Sequence, residues 1–363
     1  MAKKILFFVD DYGGGTGNVV QILANEFGRM PDLQPIVVFL NPHTKNSKLT
    51  SDIPTIEYRL SDNKSKNKLL FLWRNLKTIR KIVSTEKPDC ILSFIDNINT
   101  NICLSQFFNR SIPIIVSERS NPLVIKPYGL YRYLRPLAYS RANIITVQCE
   151  IFKQFMPQFI HKMAVTPNPI LKSPIVKTDY NIHGNVKFIS CARLHKVKQF
   201  DKMIEAFALI HQNYSNCTLT IYGEGPERED LERLIGQYNL TDTVFLSGAT
   251  NNTFDKLVSA DIYLMTSRQE GFPNSLCEAM AVGLPVVAFE CHSGLRDIVD
   301  NDNNGFLTAA DDTDEMCRCV LRLISDVNLR SRIGIEAIKV TSRFSVAEIC
   351  KLWRGLIYGM MHK

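Results

Sequence analysis

SRQEGFPNSLCEAMAVG, residues 267–283, is the stretch whose reading decides the fold. A short apolar segment, Asp261–Met265, runs into it as a strand. A polar turn with Gly271 and Pro273 follows, and a helix is expected from about Asn274. LPVVAF, Leu284–Phe289, then reads as a second buried strand. Two carboxylates, Glu270 and Glu278, stand around the start of that one helix. Strand, acidic loop, helix and strand together describe a ligand site on a parallel sheet.

Working outward, the same alternation of apolar runs and helical periodicity holds on both sides. Lys4–Val9, Gln34–Leu40, Thr55–Leu60, Cys90–Phe94, Ile112–Val116 and Asn143–Val147 read as strands of a first domain. VTPNPI, Val165–Ile170, looks like its last strand, opening into a proline-punctuated linker. Val186–Cys191, Cys217–Ile221, Val244–Leu246, Asp261–Met265, Leu284–Phe289 and Gly305–Leu307 are the strands of a second. A chain of 363 residues suits two domains of ordinary size. The expected class is α/β, with two Rossmann-like domains whose mostly parallel sheets face a central cleft. The boundaries are placed at 1–168, a linker at 169–183, 184–343, and a terminal helix 344–363 packing back toward the first domain.

Composition is that of a globular protein, 45% apolar and 22% charged. The formal net charge of +7 is uneven. Lys64, Lys66, Lys68, Arg74, Lys77, Arg80 and Lys81 occur without an acid among them, and Arg119–Cys149 holds five more basic residues and no acid. A basic first half suggests an anionic partner: a phosphorylated substrate, an acidic membrane surface or nucleic acid. No helix-turn-helix, zinc-finger or aromatic RNA-binding pattern accompanies the charge, so nucleic acid is not expected. Ten scattered cysteines without a CxxC pair read as reduced, mostly buried thiols. Seven histidines show no metal spacing, so no metal is expected. No run of 18 apolar residues predicts a spanning helix, and MAKKILFFVDD is too short a run for a signal sequence. Lys68–Val83 is an amphipathic helix with Leu69, Leu72, Trp73, Leu76, Ile79 and Val83 in one stripe. The stripe either packs on the sheet or meets anionic lipid.

Ligands bind outside the carboxyl ends of the strands in such sheets. That rule collects the Gly13–Gly17 turn, Ile95–Asn99, read as a polar loop, and Ser117–Asn121 from the first domain. From the second it collects Arg193, Lys198, Glu224, Ser247–Asn251, Arg268–Glu278 and Cys291–Asp297. A glycine turn before a helix aims free N–H groups at an anion, though it also serves as a plain structural turn. Arg193 and Lys198 suit a diphosphate, or form an ordinary solvated face. Glu270 and Glu278 could do acid/base work, but accepting hydrogen bonds from sugar or ribose hydroxyls fits better.

EGFPNSLCEAMAVGLPVVA resembles the EGxPxxxxEAMAxGxPVxA signature of the retaining, GT-B-fold glycosyltransferases of the large family designated four. ARLHKVKQFDKMIEAF is similar to that family's GRLxxxKGxDxLIxAF segment, and IYGEGPERE to its xxGxGPxxx segment. The resemblance implies that Arg193 and Lys198 bind the donor diphosphate, Glu278 the ribose and Glu270 the donor sugar. It implies that Gly271, Phe272, Pro273, Asn274 and Ser275 touch sugar or phosphate. Gly15 and Thr16 would sit near the diphosphate, and Glu224, Gly248, Ala249 and Thr250 near the nucleotide. A UDP-sugar donor, transfer with retention and no cofactor or metal are implied as well. The segment from LSFIDNINTN to NIITVQC looks like transferases that extend lipid-linked or surface oligosaccharides, including bacterial N-acetylgalactosamine transferases. An acceptor saccharide on polyprenyl diphosphate, and a cytoplasmic protein peripheral on the inner face of the membrane, follow from that likeness. Arg119 stands in Ser117-Glu118-Arg119 where many relatives carry histidine, and is expected to hold phosphate or sugar. A GT-B-like epimerase or phosphorylase and a non-catalytic nucleotide-sugar-binding assembly protein are the alternatives.

Overall fold

A computed structural model describes residues 2–43, 47–58, 68–127, 129–291 and 293–361. It divides into two compact units, Met1–Pro169 with Val346–Lys363, and Ile170–Ser345. The basic residues Lys64 and Lys66 lie outside the described residues.

The first unit begins with β1 (Lys3–Val9), α1 (Gly14–Gly28), β2 (Leu33–Phe39), β3 (Thr55–Glu57), α2 (Lys68–Glu86) and β4 (Cys90–Phe94). It continues with α3 (Asp96–Ser105), β5 (Ile114–Ser117), α4 (Leu130–Arg141), β6 (Ile144–Val147) and β7 (Met163–Val165). The strands order as β3-β2-β1-β4-β5-β6-β7. The second unit carries β8 (Val186–Cys191), α5 (Phe200–Asn213), β9 (Cys217–Tyr222), α6 (Arg228–Gln237), β10 (Val244–Leu246), α7 (Thr253–Val258) and β11 (Ile262–Met265). After these come α8 (Asn274–Ala281), β12 (Val286–Phe289), β13 (Phe306–Thr308), α9 (Thr313–Ser325), α10 (Val327–Ala337) and α11 (Val340–Arg343). Its order is β10-β9-β8-β11-β12-β13. The final helix, α12 (Val346–Met361), belongs to the first unit, where Arg354 and Tyr358 bond the Asp32 carboxylate.

Every pairing between these strands is parallel. Strands of such sheets are covered by helices on both faces, which is why their sequences are continuous apolar runs. Ile5–Val9, Ile262–Met265 and Val286–Phe289 are accordingly buried residue after residue. Each sheet reverses direction once, between β1 and β4 in the first unit and between β8 and β11 in the second. Loops at such a reversal splay apart and leave a crevice at the carboxyl edge.

Two helices depart from the expected organisation. IDNINTN does not stay a loop: Asp96–Ser105 is helical from its second residue, with Ile95 at φ 81° turning the chain into it. Its polar residues Asn99, Thr100 and Asn101 face inward and find partners there, so polarity did not mean solvent. α4 covers a stretch in which no helix was expected, and it hides two of the basic residues counted as surface charge. Arg135 and Arg141 are 4% and 2% exposed. Arg141 donates to the carbonyl oxygens of Gln106, Asn109 and Ile112, neutralising the end of α3 and the loop after it. On α2 the stripe splits: Ile79 and Val83 are buried, while Leu69 and Trp73 are exposed.

Candidate active site

The carboxyl edge of the second sheet brings most of the expected residues into one row. In strand order these are Gly248, Ala249 and Thr250 after β10, Glu224 after β9, Arg193 and Lys198 after β8, and Glu270–Ser275 after β11. The reversal between β8 and β11 lets the loops of two neighbouring strands meet. There Lys198 Nζ lies 2.6 Å from Glu270 Oε1, with both side chains largely buried.

Local chemistry holds the Lys198 loop. Thr266, buried at the end of β11, donates its hydroxyl to the carbonyl oxygens of Lys198 and Gln199 at 3.0 and 2.9 Å. The Arg268 N–H donates to the Val197 carbonyl at 2.9 Å. Gln199 falls on the glycine of the GRLxxxKG pattern and keeps a left-handed conformation, φ 49° and ψ 47°. That conformation costs a side-chain-bearing residue roughly 1–2 kcal/mol.

The GEG spacing of residues 223–225 has a packing cause. A Cβ on Gly223 would come 1.8 Å from the Ala192 carbonyl oxygen, and one on Gly225 would come 2.1 Å from that of Leu194. Both positions must be bare for this segment to lie along Ala192–Leu194. There Ala192 and Leu194 donate their N–H groups to the Tyr222 and Glu224 carbonyls, both at 3.0 Å. The backbone of Arg193 is thus fixed while its side chain stays exposed. Gly223 also donates to the Gly248 carbonyl at 2.8 Å, tying the β9 and β10 loops together. The Glu224 carboxylate turns to Arg228, at 2.8 and 3.0 Å, whose guanidinium holds it below the usual carboxylate range.

α8 begins directly after Pro273, and its first turn carries no acid. Phe272 is buried, edge-on to Phe344 at 5.7 Å. Ser275 accepts from the buried Tyr263 hydroxyl at 2.9 Å. Glu278, one turn further on, sits beside Cys191: burial and then the Glu278 charge push that thiol up to about 12. Burial and the Glu270 charge outweigh Lys198 in raising Cys291 to about 11. Cys277 is raised well above its ordinary value, chiefly by burial. A thiol must ionise to attack, so these three are packing groups, not nucleophiles. A cavity of about 480 Å³ lies against the same loop. His195, Lys196, Gln199 and Arg268 line it with α6, and none of Arg193, Lys198, Glu270 or Glu278 does.

In the first unit, Gly15 and Thr16 form the first turn of α1. Gly14 turns the chain at φ 71°, and Gly17 must lack a side chain because its Cβ would sit 2.5 Å from the Tyr12 carbonyl oxygen. The Gln21 amide donates to that same carbonyl at 2.9 Å, so the turn is braced from within. Arg119 is used differently from the expectation of a ligand-facing cation. Its guanidinium donates to the Thr166 carbonyl at 3.0 Å and Asn168 Oδ1 at 2.9 Å, and lies 5.5 and 5.4 Å from the rings of Phe94 and Trp353. Burial lowers it to about 9, so it stays charged at neutral pH.

Sequence reasoning missed the neighbouring network. Glu118, 1% exposed, meets Arg135 Nη2 at 3.3 Å and accepts from the Tyr139 hydroxyl, to which Asn99 also donates at 3.2 Å. Burial holds the Glu118 carboxyl above its ordinary range, against the pull of Arg135 and Tyr139. The signal was available only as an acid and a basic residue 17 positions apart in a stretch otherwise read for net charge.

Residues 176–340 match the family model described as Glycosyl transferases group 1. The chain is a glycosyltransferase, and its group 1 match lies in these residues. An uncharacterized glycosyltransferase of Methanocaldococcus jannaschii is 28% identical to it over 368 residues, covering 86% of this chain and 90% of that one. A Campylobacter jejuni protein is 25% identical over 325 residues, covering 84% and 87%. It is named N-acetylgalactosamine-N,N'-diacetylbacillosaminyl-diphospho-undecaprenol 4-alpha-N-acetylgalactosaminyltransferase. Among solved structures, TarM superposes on this glycosyltransferase with a TM-score of 0.81 at 16% identity, over 98% of this chain and 99% of TarM. Anabaena HepE in complex with UDP and glucose does so with a TM-score of 0.78 at 18% identity, over 98% and 99%. Such likeness establishes the fold, the GT-B architecture of two Rossmann-like units. The family match spans most of the unit that carries Lys198 and Glu270.

Proposed function

We propose that this glycosyltransferase moves a hexose or N-acetylhexosamine from a UDP-sugar to a saccharide acceptor carried on a polyprenyl diphosphate, with retention at the anomeric carbon. The observation that carries the reading is the Lys198–Glu270 pair at the sheet reversal, with the exposed Arg193 on the same loop. Lys198 has three donors and spends one on Glu270, which leaves two for phosphate oxygens. Arg193 brings a planar fork suited to the second phosphate. Together they stabilise the charge that grows on UDP as its bond to the sugar breaks. Glu270 accepts from a sugar hydroxyl and Glu278 from the ribose. The loops of Glu224 and Gly248–Thr250 hold the nucleotide, and the backbone N–H groups of Gly271, Phe272 and Ser275 face sugar or phosphate. The anomeric C–O bond to phosphate breaks and one to the acceptor oxygen forms. The acceptor's proton leaves with the departing phosphate.

In this reading residues 184–343 hold the donor and residues 1–168 the acceptor. Gly15 and Thr16 offer N–H groups to an anion from the first unit, and Arg119 acts as a positioning residue there. A solved TarM complex contains UDP, HepE was solved with UDP and glucose, and the Campylobacter relative is named for a diphospho-undecaprenol acceptor. Lys198→Ala and Glu270→Ala should each lower turnover about 10²–10³-fold, the scale of losing one charge-stabilising contact. The assay scores hydrolysis of UDP-glucose, UDP-galactose, UDP-N-acetylglucosamine and UDP-N-acetylgalactosamine, which also names the donor. Unchanged turnover in both variants would remove the assignment.

The acceptor places the enzyme at a membrane, cytoplasmic and peripheral on the inner face. No helix among the described residues is long and apolar enough to cross one. Contact would come through α2, where the exposed Trp73 ring lies 5.2 Å from Lys77 Nζ and Arg74 and Lys81 are also exposed. Each basic residue near an anionic surface contributes roughly 1 kcal/mol. Lys77→Glu with Lys81→Glu should therefore release the protein from phosphatidylglycerol vesicles at low salt. Equal sedimentation of variant and parent would discard the membrane contact.

A further inference from the structure

Two side-chain-bearing residues beside the donor cluster hold left-handed backbone, and they are bonded to each other. Gln199 has φ 49° and Asp311 has φ 63°. Gln199 Nε2 donates to Asp311 Oδ1 at 2.7 Å, across 112 residues of chain. Neither position has to carry a side chain; glycine would adopt both conformations without strain. Strain kept where glycine would relieve it points to a use.

The surroundings say what that use is. Gln199 is both the residue after Lys198 and the one that opens α5, so its turn sets the direction in which Lys198 leaves the loop. Asp311 is anchored in turn, because the next residue, Asp312, caps α9 by accepting from the Glu315 N–H at 2.8 Å. Glu315 reciprocates by accepting from the Ala309 N–H, also at 2.8 Å. The Lys198 loop is therefore held at three places: by the Thr266 hydroxyl on its carbonyls, by the Arg268 N–H on Val197, and by the Gln199 side chain on Asp311 beside the α9 cap.

We propose that the Gln199–Asp311 hydrogen bond is a latch that keeps Lys198 aimed at Glu270, making Gln199 and Asp311 positioning residues for sugar transfer. The inference rests on the donor-site reading above. A glycine at position 199 would let the turn form but leave the loop free to rotate about it. Lys198 would then reach the diphosphate from many orientations, not one, and the loss would fall on turnover more than on donor binding.

The test uses the full-length Gln199→Gly, Asp311→Gly and Asp311→Asn variants, since Asn keeps an oxygen that can accept from Gln199. Both glycine variants should unfold at the parental temperature or above, because each relieves a left-handed side-chain position. Their kcat for the best UDP-sugar should nonetheless fall about tenfold, with the donor KM changing less. Asp311→Asn should retain parental kcat. Amide exchange at Val197–Gln199 should quicken in Gln199→Gly, a readout independent of activity. Unchanged exchange, or kcat within twofold of the parent while Lys198→Ala is inactive, overturns the latch alone. Normal turnover in Lys198→Ala overturns it together with the donor-site reading.

Discussion

The two units of this glycosyltransferase treat charge in opposite ways. In the second unit Arg193 is exposed and Lys198 shares its ammonium with a single carboxylate. In the first unit Arg119, Arg135 and Arg141 are taken into the protein and set against carbonyls, rings and Glu118. A cation meant for an anionic ligand must keep donors unspent, whereas one that has spent them on its own backbone is scaffold. Net charge counted along the chain cannot separate the two cases. Three of the five basic residues from Arg119 to Cys149 are structural, and only Lys126 and Arg132 remain exposed.

The largest expected effect lies in the first unit. Glu118→Ala leaves Arg135 buried without its carboxylate, and unpairing a buried charge costs about 3–5 kcal/mol. Replacing both partners at once, Glu118→Leu with Arg135→Met, should cost far less, because apolar groups of similar volume need no partner. Both tryptophans, Trp73 and Trp353, belong to the first unit, so tryptophan fluorescence in urea reports on the unit concerned. Equal destabilisation by the single and double variants would break the comparison, since Glu118 would then not be there chiefly to answer Arg135.

The second unit should respond the other way round. Lys198→Ala removes an ammonium at the edge of a site, so the loss expected in transfer should leave the unfolding midpoint nearly in place. UDP should raise that midpoint in the parent and raise it less in the variant, because a ligand stabilises only what it binds. A Lys198→Ala protein as destabilised as Glu118→Ala would mean that the pair is scaffold too.

The contrast also explains what the sequence could disclose. Strands β1, β4 and β11 were legible because burial on both faces leaves a nearly continuous apolar run. Arg193, Lys198, Glu270 and Glu278 could be assigned to the carboxyl edge of the second sheet because they follow β8 and β11, and the roles expected of them came from the family resemblance. α3 was hidden because its inward face is polar: Asn99 and Asn101 look like loop residues until Ser117, Tyr131 and Tyr139 supply their partners. The surroundings of Arg119 were hidden for the same reason, although its own position was singled out. Its partners Thr166, Asn168 and Trp353 come from 47 or more residues away, and no local pattern announces them. The Gln199–Asp311 bond spans 112 residues of chain, and only the backbone angle of Gln199 draws attention to it.

The smallest effect sharpens the comparison through pH. Burial holds the Glu118 carboxyl above the ordinary range, so the folded chain binds this proton more tightly than the unfolded chain does. Such a group favours the fold fully below the ordinary carboxylate value, about pH 4.3, and that contribution is lost as pH rises through the folded value. Glu118→Gln keeps an oxygen for Tyr139 and Arg135 but cannot titrate. The stability of the parent relative to Glu118→Gln should therefore decline as pH is raised from about 4.3. Other titrating groups cancel in the difference between two chains that differ only here. Urea unfolding followed by tryptophan fluorescence at a series of pH values measures it. A difference that stays flat, or grows with pH, would mean that the pull of Arg135 outweighs burial. Glu118 would then be an ordinary ion-pair carboxylate.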